Sequence, residues 1–167
     1  MDDIIIRMAT DDDLASIGSL WEKLIAYHNE LDDRLPLAAA GGGEIYGQRL
    51  AEQLSDPEAR VIVVELGSQL VGYAFGVVVD LVPDMFEHAR SGLLVDIFVE
   101  QEYRGRGIGR KMATSMAQWF SEQGLQYFEW HVAAGNSAGI DFWRSMGGDD
   151  LLVRMRLELD ELLGDEK

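Results

Sequence analysis

Apolar residues recur along this chain with two periods, one typical of strands and one typical of helices. Thr10 and the three acidic residues after it predict the start of a helix that ends near residues 29–33, because a hydroxyl cap and acids in the first turn favour a helix N-terminus. The other predicted helices cover residues 44–55, the stretch from the glycines at 105–109 to Gly124, and a short segment after Asn136. The predicted strands cover residues 3–8, 61–65, 69–81, 93–99, 125–132 and 151–159.

The order of these elements predicts a mixed α/β sheet with helices on both faces. Gly67-Ser68 between two predicted strands fits a tight hairpin turn, which makes antiparallel neighbours. The strand–helix–strand unit at 93–132 needs a crossover connection and therefore predicts a parallel pair. The chain shows no internal repeat, so we expect one domain over residues 1–167.

Composition narrows the class of protein. The chain has 167 residues, 47% of them apolar, and no apolar run long enough for a membrane span. It has no cysteine and no basic start at its N-terminus, which favours a cytoplasmic protein. The net charge of −16 argues against nucleic acid as a partner. The same charge fits a cationic substrate, although it also fits a protein that is acidic only for solubility.

Residues 95–109 are the part of the sequence that most clearly indicates a ligand-binding site. A predicted strand runs into a loop that holds Gly105, Gly107 and Gly109 between basic residues, and a long amphipathic helix follows at once. The first N–H groups of a helix lack partners within the helix and lie at the positive end of its dipole. Glycines let the backbone turn sharply and approach a ligand. This pattern predicts a phosphate-binding loop rather than a glycine-rich turn without a ligand.

Two better-known phosphate loops do not match. A Walker A loop needs Gly-Lys-Ser/Thr, whereas Lys111 is followed by Met112. Glu129 lies twenty residues after Gly109, which is where a ribose-binding acid of a Rossmann unit would fall. The strands before the loop do not alternate with helices, however, so a Rossmann domain is disfavoured.

Two segments resemble the GNAT superfamily of N-acetyltransferases. Arg104-Gly-Arg-Gly-Ile-Gly109 is similar to the family's acetyl-CoA loop, Arg/Gln-x-x-Gly-x-Gly/Ala, and Asp-Ile-Phe-Val precedes it as in the family. The segment from Asn136 to Gly147 resembles the pattern Asn-x-x-Ala-x-x-Phe-Tyr-x-x-x-Gly-Phe. The resemblance implies a mostly antiparallel mixed sheet of six to seven strands.

The resemblance also implies how acetyl-CoA binds. The backbone of Ile97, Phe98 and Val99 would pair with the pantetheine arm, and amides between Gly105 and Arg110 would hold the diphosphate. Asn136 would lie beside the pantetheine or the acetyl group. The residues implied in cofactor binding are Ile97, Phe98, Val99, Arg104, Gly105, Arg106, Gly107, Ile108, Gly109, Arg110, Asn136, Phe142, Trp143 and Arg144.

The implied reaction is direct attack of an amine on the thioester, and it needs three groups. The N–H of Val99 is the candidate oxyanion donor. The family's second aromatic is a Tyr that protonates the leaving thiolate, but this chain has Trp143, whose indole donates hydrogen bonds without acting as an acid at neutral pH. Asp96 is the first candidate for the general base, since a carboxylate in a partly buried cleft can have a raised pKa. A strand acid satisfied by its neighbours is the equal alternative. Asp80, Glu129 and His131 stay open as further candidates.

The acceptor pocket is expected to hold acids and aromatics that suit a protonated amine. The candidate substrate residues are Tyr27, Asp80, Asp84, Phe86 and Glu129. Trp21 is more simply a core residue than part of this pocket. His28 and His88 are expected at the surface, and three scattered histidines show no metal-ligand spacing, so no metal is expected.

The sequence therefore predicts an acetyl-CoA-dependent N-acetyltransferase that acts on a small cationic primary amine. A protein amine is the alternative acceptor. A non-catalytic acyl-CoA-binding module is the alternative function, suggested by Trp143, and a nucleotide-binding protein is third. A homodimer is expected only by analogy with the fold.

Overall fold

The structure is a computed structural model that describes residues 4–80, 85, 87 and 90–164. These residues divide into two compact units, one that ends at Gly135 and one that begins at Asn136. The first unit holds the sheet and the longer helices. None of the described helices combines the length and the apolar composition of a membrane span.

The sheet of the first unit has its strands in chain order. β1 (Ile4–Met8), β2 (Ala59–Leu66), β3 (Gln69–Val79) and β4 (Ser91–Val99) are antiparallel neighbours, and β5 (Phe128–Glu129) pairs with β4 in parallel. The helix α3 (Ile108–Glu122) makes the crossover between β4 and β5. The predicted mixed, mostly antiparallel sheet and the hairpin at Gly67-Ser68 are confirmed.

The predicted number of strands was wrong. The described residues form five strands rather than six to seven. In place of the predicted strand 125–132, the structure has the two-residue strand β5, which pairs with Gly92 and Leu93. Residues 149–158, which include most of the last predicted strand, have no regular secondary structure and lead into the short helix α5 (Leu159–Leu163). An alternating sequence becomes a strand only where a neighbouring strand accepts its ladder of hydrogen bonds.

Helices cover both faces of the sheet, as predicted. The apolar sides of α1 (Leu14–Leu31) and α2 (Gly42–Gln53) pack on one face. On the other face α3 lies so close to the sheet that a Cβ added at Gly76 or Gly92 would come within 3 Å of Phe120. The core on the α1 and α2 side consists of Ile17, Leu20, Leu24, Leu50, Val61, Val63, Tyr73 and Phe98.

Glycines allow α1 and α2 to approach each other closely. A Cβ on Gly18 would lie 2.3 Å from the carbonyl oxygen of Gly43, and one on Gly47 would lie 3.0 Å from that of Leu14. Because real Cβ atoms do not come that close to backbone, a larger residue at Gly18 would push the two helices apart. Tyr46, the residue before Gly47 on this closely packed helix, reaches the carboxylate of Asp96 in β4.

A β-bulge at Val95 changes which face of the sheet the end of β4 presents. Phe75 lies opposite Asp96, but its neighbour Gly76 lies opposite Leu94, so Val95 has no partner on β3. In a regular strand Leu94 and Asp96 would share one face. The extra residue instead leaves Leu94 on the α3 side and turns Asp96 toward α1 and α2.

Candidate functional site

The glycine loop adopts the conformation of a turn that opens onto a helix. Gly105 and Gly107 have φ angles of 76° and 77°, in the left-handed region, and α3 begins immediately after Gly107. A Cβ on either glycine would meet nothing within 4 Å. Glycine is therefore favoured at these two positions by the left-handed backbone conformation and not by a lack of space for a side chain.

The backbone amides of this loop are available to a ligand. The N–H groups from Gly105 to Gly109 donate no hydrogen bond to any residue that the structure describes. They lie at the positive end of α3, where the helix leaves its first donors unused. Several such donors on one exposed turn fit the diphosphate of acetyl-CoA.

Two arginines of the loop fold back onto the protein. The Nε of Arg104 donates to the carbonyl oxygen of Val99 at 2.9 Å, and its guanidinium lies 4.9 Å from the ring centre of Tyr27 and 5.5 Å from that of Phe98. Arg106 lies 5.3 Å from the ring centre of Tyr103. Arg104 thus ties the loop to the end of β4, and the roles of both arginines toward the diphosphate stay predictions.

The end of β4 has one edge without a neighbouring strand. β5 pairs with β4 only at Gly92 and Leu93, while Ile97, Phe98 and Val99 pair with β3 alone among the described strands. An extended ligand can add to such an edge through main-chain hydrogen bonds. This is the chemistry expected for a pantetheine arm, and the glycine loop follows the same edge in the chain.

Asp96 is a partly buried carboxylate near the end of β4. The hydroxyl of Tyr46 donates to its Oδ2 at 2.5 Å. Burial raises the pKa of Asp96, while the hydrogen bond from Tyr46 and the nearby His28 act in the opposite direction. Among the residues that the structure describes, the hydrogen bond to this carboxylate therefore comes from a phenol and not from a basic side chain.

Aromatic residues surround this carboxylate. The rings of Trp21 and Tyr46 stack with centroids 5.0 Å apart, and Tyr46 meets Tyr73 edge-on at 6.2 Å. The Tyr73 hydroxyl is buried, reaches hydrogen-bonding geometry with no described residue, and has a raised pKa through burial and the charge of Asp96. Desolvation also lowers the pKa of His28. These groups form a partly buried polar cluster between the sheet and the two helices.

Most residues of this cluster were not predicted from the sequence. Tyr46 lies on a different helix, fifty residues before Asp96, and no local pattern links the two. The expectation that His28 is a surface residue was wrong: it is partly buried, and Asp96 raises its pKa against the effect of desolvation. Its position on the inner side of α1, four residues after Leu24, was the available signal.

The predicted substrate residues are spread over the first unit. Tyr27 is partly buried beneath Arg104, as the 4.9 Å contact shows. Asp80 follows β3 and Glu129 lies in β5, and both are exposed. Asp84 and Phe86 lie outside the described residues. Their contacts with a substrate stay predictions.

The second unit contains the remaining predicted residues. The Oδ1 of Asn136 accepts a hydrogen bond from the Gly139 N–H at 2.9 Å and caps α4 (Ser137–Arg144), as expected for an N-cap asparagine. Phe142 and Trp143 meet edge-on with centroids 4.9 Å apart. Arg144 forms an ion pair with Asp150 at 2.6 Å. The cofactor roles of these residues are not tested by this geometry.

No group of three or more possible metal-ligating side chains occurs in the part of the chain that the structure describes. The loop amides and the free edge of β4 are backbone groups that suit an extended, anionic organic ligand rather than a cation.

Residues 20–147 match the model of the acetyltransferase (GNAT) family. This match covers more than half of the chain, so the protein belongs to the GNAT family. It is an acetyl-CoA-dependent N-acetyltransferase.

Curated relatives include two mammalian enzymes. The chain is 28% identical over 158 residues to thialysine N-epsilon-acetyltransferase from Sus scrofa, a match that covers 90% of this chain and 87% of the relative. It is 29% identical over 159 residues to the enzyme of the same name from Bos taurus, with coverage of 89% and 85%.

Solved structures show the same fold at low sequence identity. The BH1408 protein from Bacillus halodurans superimposes with a TM-score of 0.81 at 20% identity, covering 92% of this chain and 98% of that one. A predicted acetyltransferase from Clostridium acetobutylicum, solved with acetyl-CoA, gives 0.75 at 16% identity, covering 95% and 98%. An aminoglycoside N-acetyltransferase solved with CoA gives 0.72 at 13% identity, covering 95% of each chain.

Proposed function

We propose that this N-acetyltransferase modifies a primary amine of a small, cationic molecule, and that Asp96 accepts the proton which the amine releases. The observation that carries the proposal is a partly buried carboxylate with a raised pKa, one residue before the free edge of β4. Acids whose pKa is raised by burial beside specific partners are candidates for functional residues. The net charge of −16 adds long-range attraction for a cation.

The names of similar proteins support a small amine. Thialysine is the substrate in the names of two curated relatives, and aminoglycosides appear in the name of a structural neighbour. Both are cationic small molecules with primary amines. Acidic and aromatic groups around the acceptor, such as Tyr27 and Glu129, would suit molecules of this kind.

The cofactor would be held by main chain rather than by long side chains. The amides from Gly105 to Gly109 would bind the diphosphate, and the free edge of Ile97–Val99 would bind the pantetheine arm. The Val99 N–H would stabilise negative charge on the thioester oxygen. Bound acetyl-CoA supplies a thioester whose carbonyl carbon forms a bond to the amine nitrogen as its bond to sulfur breaks.

Asp96 would act on the amine proton. A protonated amine is not a nucleophile, so the site must remove one proton before the carbon–nitrogen bond forms and another as it forms. Tyr46 holds Oδ2, which leaves Oδ1 to receive a proton directly or through one water. The raised pKa of Asp96 makes this carboxylate a stronger base than a surface aspartate.

The proposal assigns no general acid. Trp143 stands where the family has a tyrosine, and an indole N–H does not release a proton at neutral pH. The thiolate would leave as such or take a proton from water. An indole in this position could still donate a hydrogen bond to the departing sulfur.

A panel of amines tests the proposed acceptor. Release of free thiol from acetyl-CoA is measured with thialysine, a polyamine, an aminoglycoside, a free amino acid and a lysine-containing peptide, and mass spectrometry identifies each product. We expect amine-dependent release with at least one small amine and little with the peptide. Acetylation of the peptide alone would refute the small-amine proposal.

Two glycines with the same backbone conformation test the cofactor loop. Gly107 and Gly124 lie at opposite ends of α3, both have a φ of 77°, and a Cβ on either meets nothing within 4 Å. Gly107→Asp adds a negative charge beside the proposed diphosphate, whereas Gly124→Asp adds the same strain and charge elsewhere. We expect Gly107→Asp to weaken CoA binding at least about tenfold in calorimetry, because the unused helix donors favour anions. Equal affinities in the two variants would refute the assignment.

A further inference from the structure

The main-chain groups at the end of β4 point alternately toward β3 and toward the free edge. The N–H of Glu100 donates to the carbonyl oxygen of Val71 in β3 at 2.9 Å. Hydrogen-bonded and non-hydrogen-bonded residues alternate along an antiparallel pair. Val99, the residue before Glu100, therefore turns both its N–H and its carbonyl away from β3, and Ile97 does the same two residues earlier.

Arg104 occupies the last acceptor on this edge. Its Nε donates to the carbonyl oxygen of Val99 at 2.9 Å, across the short 3-10 helix Gln101–Tyr103. The carbonyl of Val99 is therefore already bonded, whereas the N–H of the same residue faces the free edge. An extended ligand that adds to this edge meets the Val99 N–H as the last open main-chain group of β4.

Two aromatic rings hold the other end of the Arg104 side chain. The guanidinium lies 4.9 Å from the ring centre of Tyr27 in α1 and 5.5 Å from that of Phe98 in β4. At these distances an aromatic face attracts a cation. Phe98 is buried and Tyr27 is partly buried, so packing restrains both rings. Arg104 thus joins α1 to the end of β4.

The peptide group between Val99 and Glu100 is held on both sides. Its N–H is bonded to β3 and its carbonyl to Arg104. The side chain of Glu100 also forms an ion pair with Lys23, which lies one helical turn before Tyr27 on α1. Two neighbouring positions on one helix therefore contact the segment that begins at Val99, one on each side of the 3-10 helix.

We propose that Arg104 is a positioning residue for acetyl transfer: by capping the Val99 carbonyl it leaves the Val99 N–H as the last open group of the edge and so determines where the thioester oxygen lies. This role rests on the proposed function, in which that N–H stabilises charge on the thioester oxygen. Main-chain pairing repeats every two residues, so an uncapped carbonyl would offer an extended ligand a second register about 6–7 Å along the strand. A slip of that size would carry the thioester away from Asp96.

Three variants separate positioning from charge. Arg104→Gln has its amide nitrogen as many bonds from the main chain as the Arg104 Nε, so it keeps a donor for the Val99 carbonyl and loses the charge. Arg104→Met loses both. Arg106→Met removes the same charge from the same loop, but Arg106 contacts Tyr103 rather than β4. Both arginines are exposed, and circular dichroism checks that each variant is folded.

The first measurement needs no amine. Difference infrared spectroscopy records the thioester carbonyl stretch of bound acetyl-CoA that carries ¹³C in this carbonyl. The hydrogen bond from the Val99 N–H polarises this carbonyl. We expect the same band in the original chain, Arg104→Gln and Arg106→Met, and a displaced or broadened band in Arg104→Met.

The second measurement separates kcat from binding. With saturating acetyl-CoA and the best amine, kcat of Arg104→Met should fall about ten- to hundredfold, because a small misplacement of reacting groups costs that much. Arg104→Gln should recover most of this loss. Calorimetry should give the two Met variants CoA affinities that agree within about threefold, since each removes one exposed charge.

The results distinguish this role from the alternatives. The same infrared band in all four proteins would overturn the proposal, and so would a kcat in Arg104→Gln as low as in Arg104→Met. A loss of CoA affinity in Arg104→Met alone, with kcat unchanged, would overturn it as well and make Arg104 a ligand of the diphosphate. If the bands differ as expected but no small amine is acetylated, the proposed acceptor fails and the positioning role stands.

Discussion

Two aspartates of the first unit, the buried Asp13 and the partly buried Asp96, have pKa values that are shifted in opposite directions. Asp13 receives two hydrogen bonds from the guanidinium of Arg7, at 2.7 and 2.9 Å, and another from the Thr10 N–H. These contacts, with Arg7 first, lower the pKa of Asp13 to about 2. Asp96 receives one hydrogen bond from Tyr46, and burial raises its pKa.

Asp13 is a structural acid, whereas Asp96 is the proposed general base. Asp13 joins the start of α1 to β1, and the folded state favours its charged form because Arg7 lies beside it. Asp96 is partly buried among aromatic rings, so its charged form is disfavoured in the folded protein. A protein keeps such an unfavourable group where its chemistry is needed. The same residue type thus stabilises the fold at one position and weakens it at the other.

Asp96→Asn is expected to have the largest effect on activity. It keeps the shape of the side chain and an acceptor for Tyr46, but it removes the base. We expect kcat/KM for the best amine to fall about 10²- to 10⁴-fold, and the rise of rate with pH that reflects Asp96 to disappear. CoA affinity should not change. Steady-state kinetics across a range of pH measure this loss of kcat/KM, and Glu52→Gln, at an exposed position of α2, is the control.

The thermal stability of Asp96→Asn is a second test of the difference between Asp96 and Asp13. The amide avoids the cost of burying a charge, so Asp96→Asn should unfold at the same temperature as the original chain or at a higher one. A loss of activity that accompanied a loss of stability would instead make Asp96 a structural residue like Asp13.

Asp13→Asn is expected to lower stability without lowering kcat. The shift of the pKa from 3.8 to about 2 corresponds to about 1–2 kcal/mol of unfolding free energy, with allowance for the partly exposed Arg7. Since the folded pKa is depressed, this contribution is fully present above pH 4 and is lost as pH falls toward 2. Urea unfolding at pH 7 and at pH 3 measures it. The difference between the two proteins should be smaller at pH 3.

Tyr46→Phe is expected to give the smallest effect. Its hydrogen bond lowers the pKa of Asp96, so removing the hydroxyl should raise that pKa further and move the acid side of the pH–rate profile to higher pH. At acidic pH we expect kcat/KM to fall roughly 3- to 10-fold, in line with about 0.5–1.5 kcal/mol for the net contribution of one hydrogen bond. Tyr127→Phe, at an exposed tyrosine, is the control. A uniform loss at all pH values would indicate a packing defect instead.

Features that depend on neighbours in sequence were predictable. The hairpin at Gly67-Ser68, the helix start after Thr10 and the glycine loop before α3 each follow from a few adjacent residues whose backbone preferences agree. The cofactor loop needs only its own glycines and the first turn of the helix that it opens.

Features that depend on distant partners were not predictable. The strand predicted at 125–132 and the strand predicted at 151–159 both alternate correctly, yet the first keeps two residues and the second forms no ladder in the described structure. The alternation of apolar and polar residues indicates which side chains favour burial. A strand also needs a neighbouring strand that forms hydrogen bonds with its backbone.

The sequence by itself determined the family, the glycine loop before α3 and the candidacy of Asp96, because each rests on residue types at fixed local spacing. Only the tertiary structure decided which face Asp96 occupies and what holds it there. The bulge at Val95 turns the carboxylate toward α1 and α2, and the glycine contacts between those helices bring Tyr46 within reach. A one-residue slip in a strand reverses every side chain beyond it, and pairing across the sheet, not the strand's own sequence, sets where that slip falls.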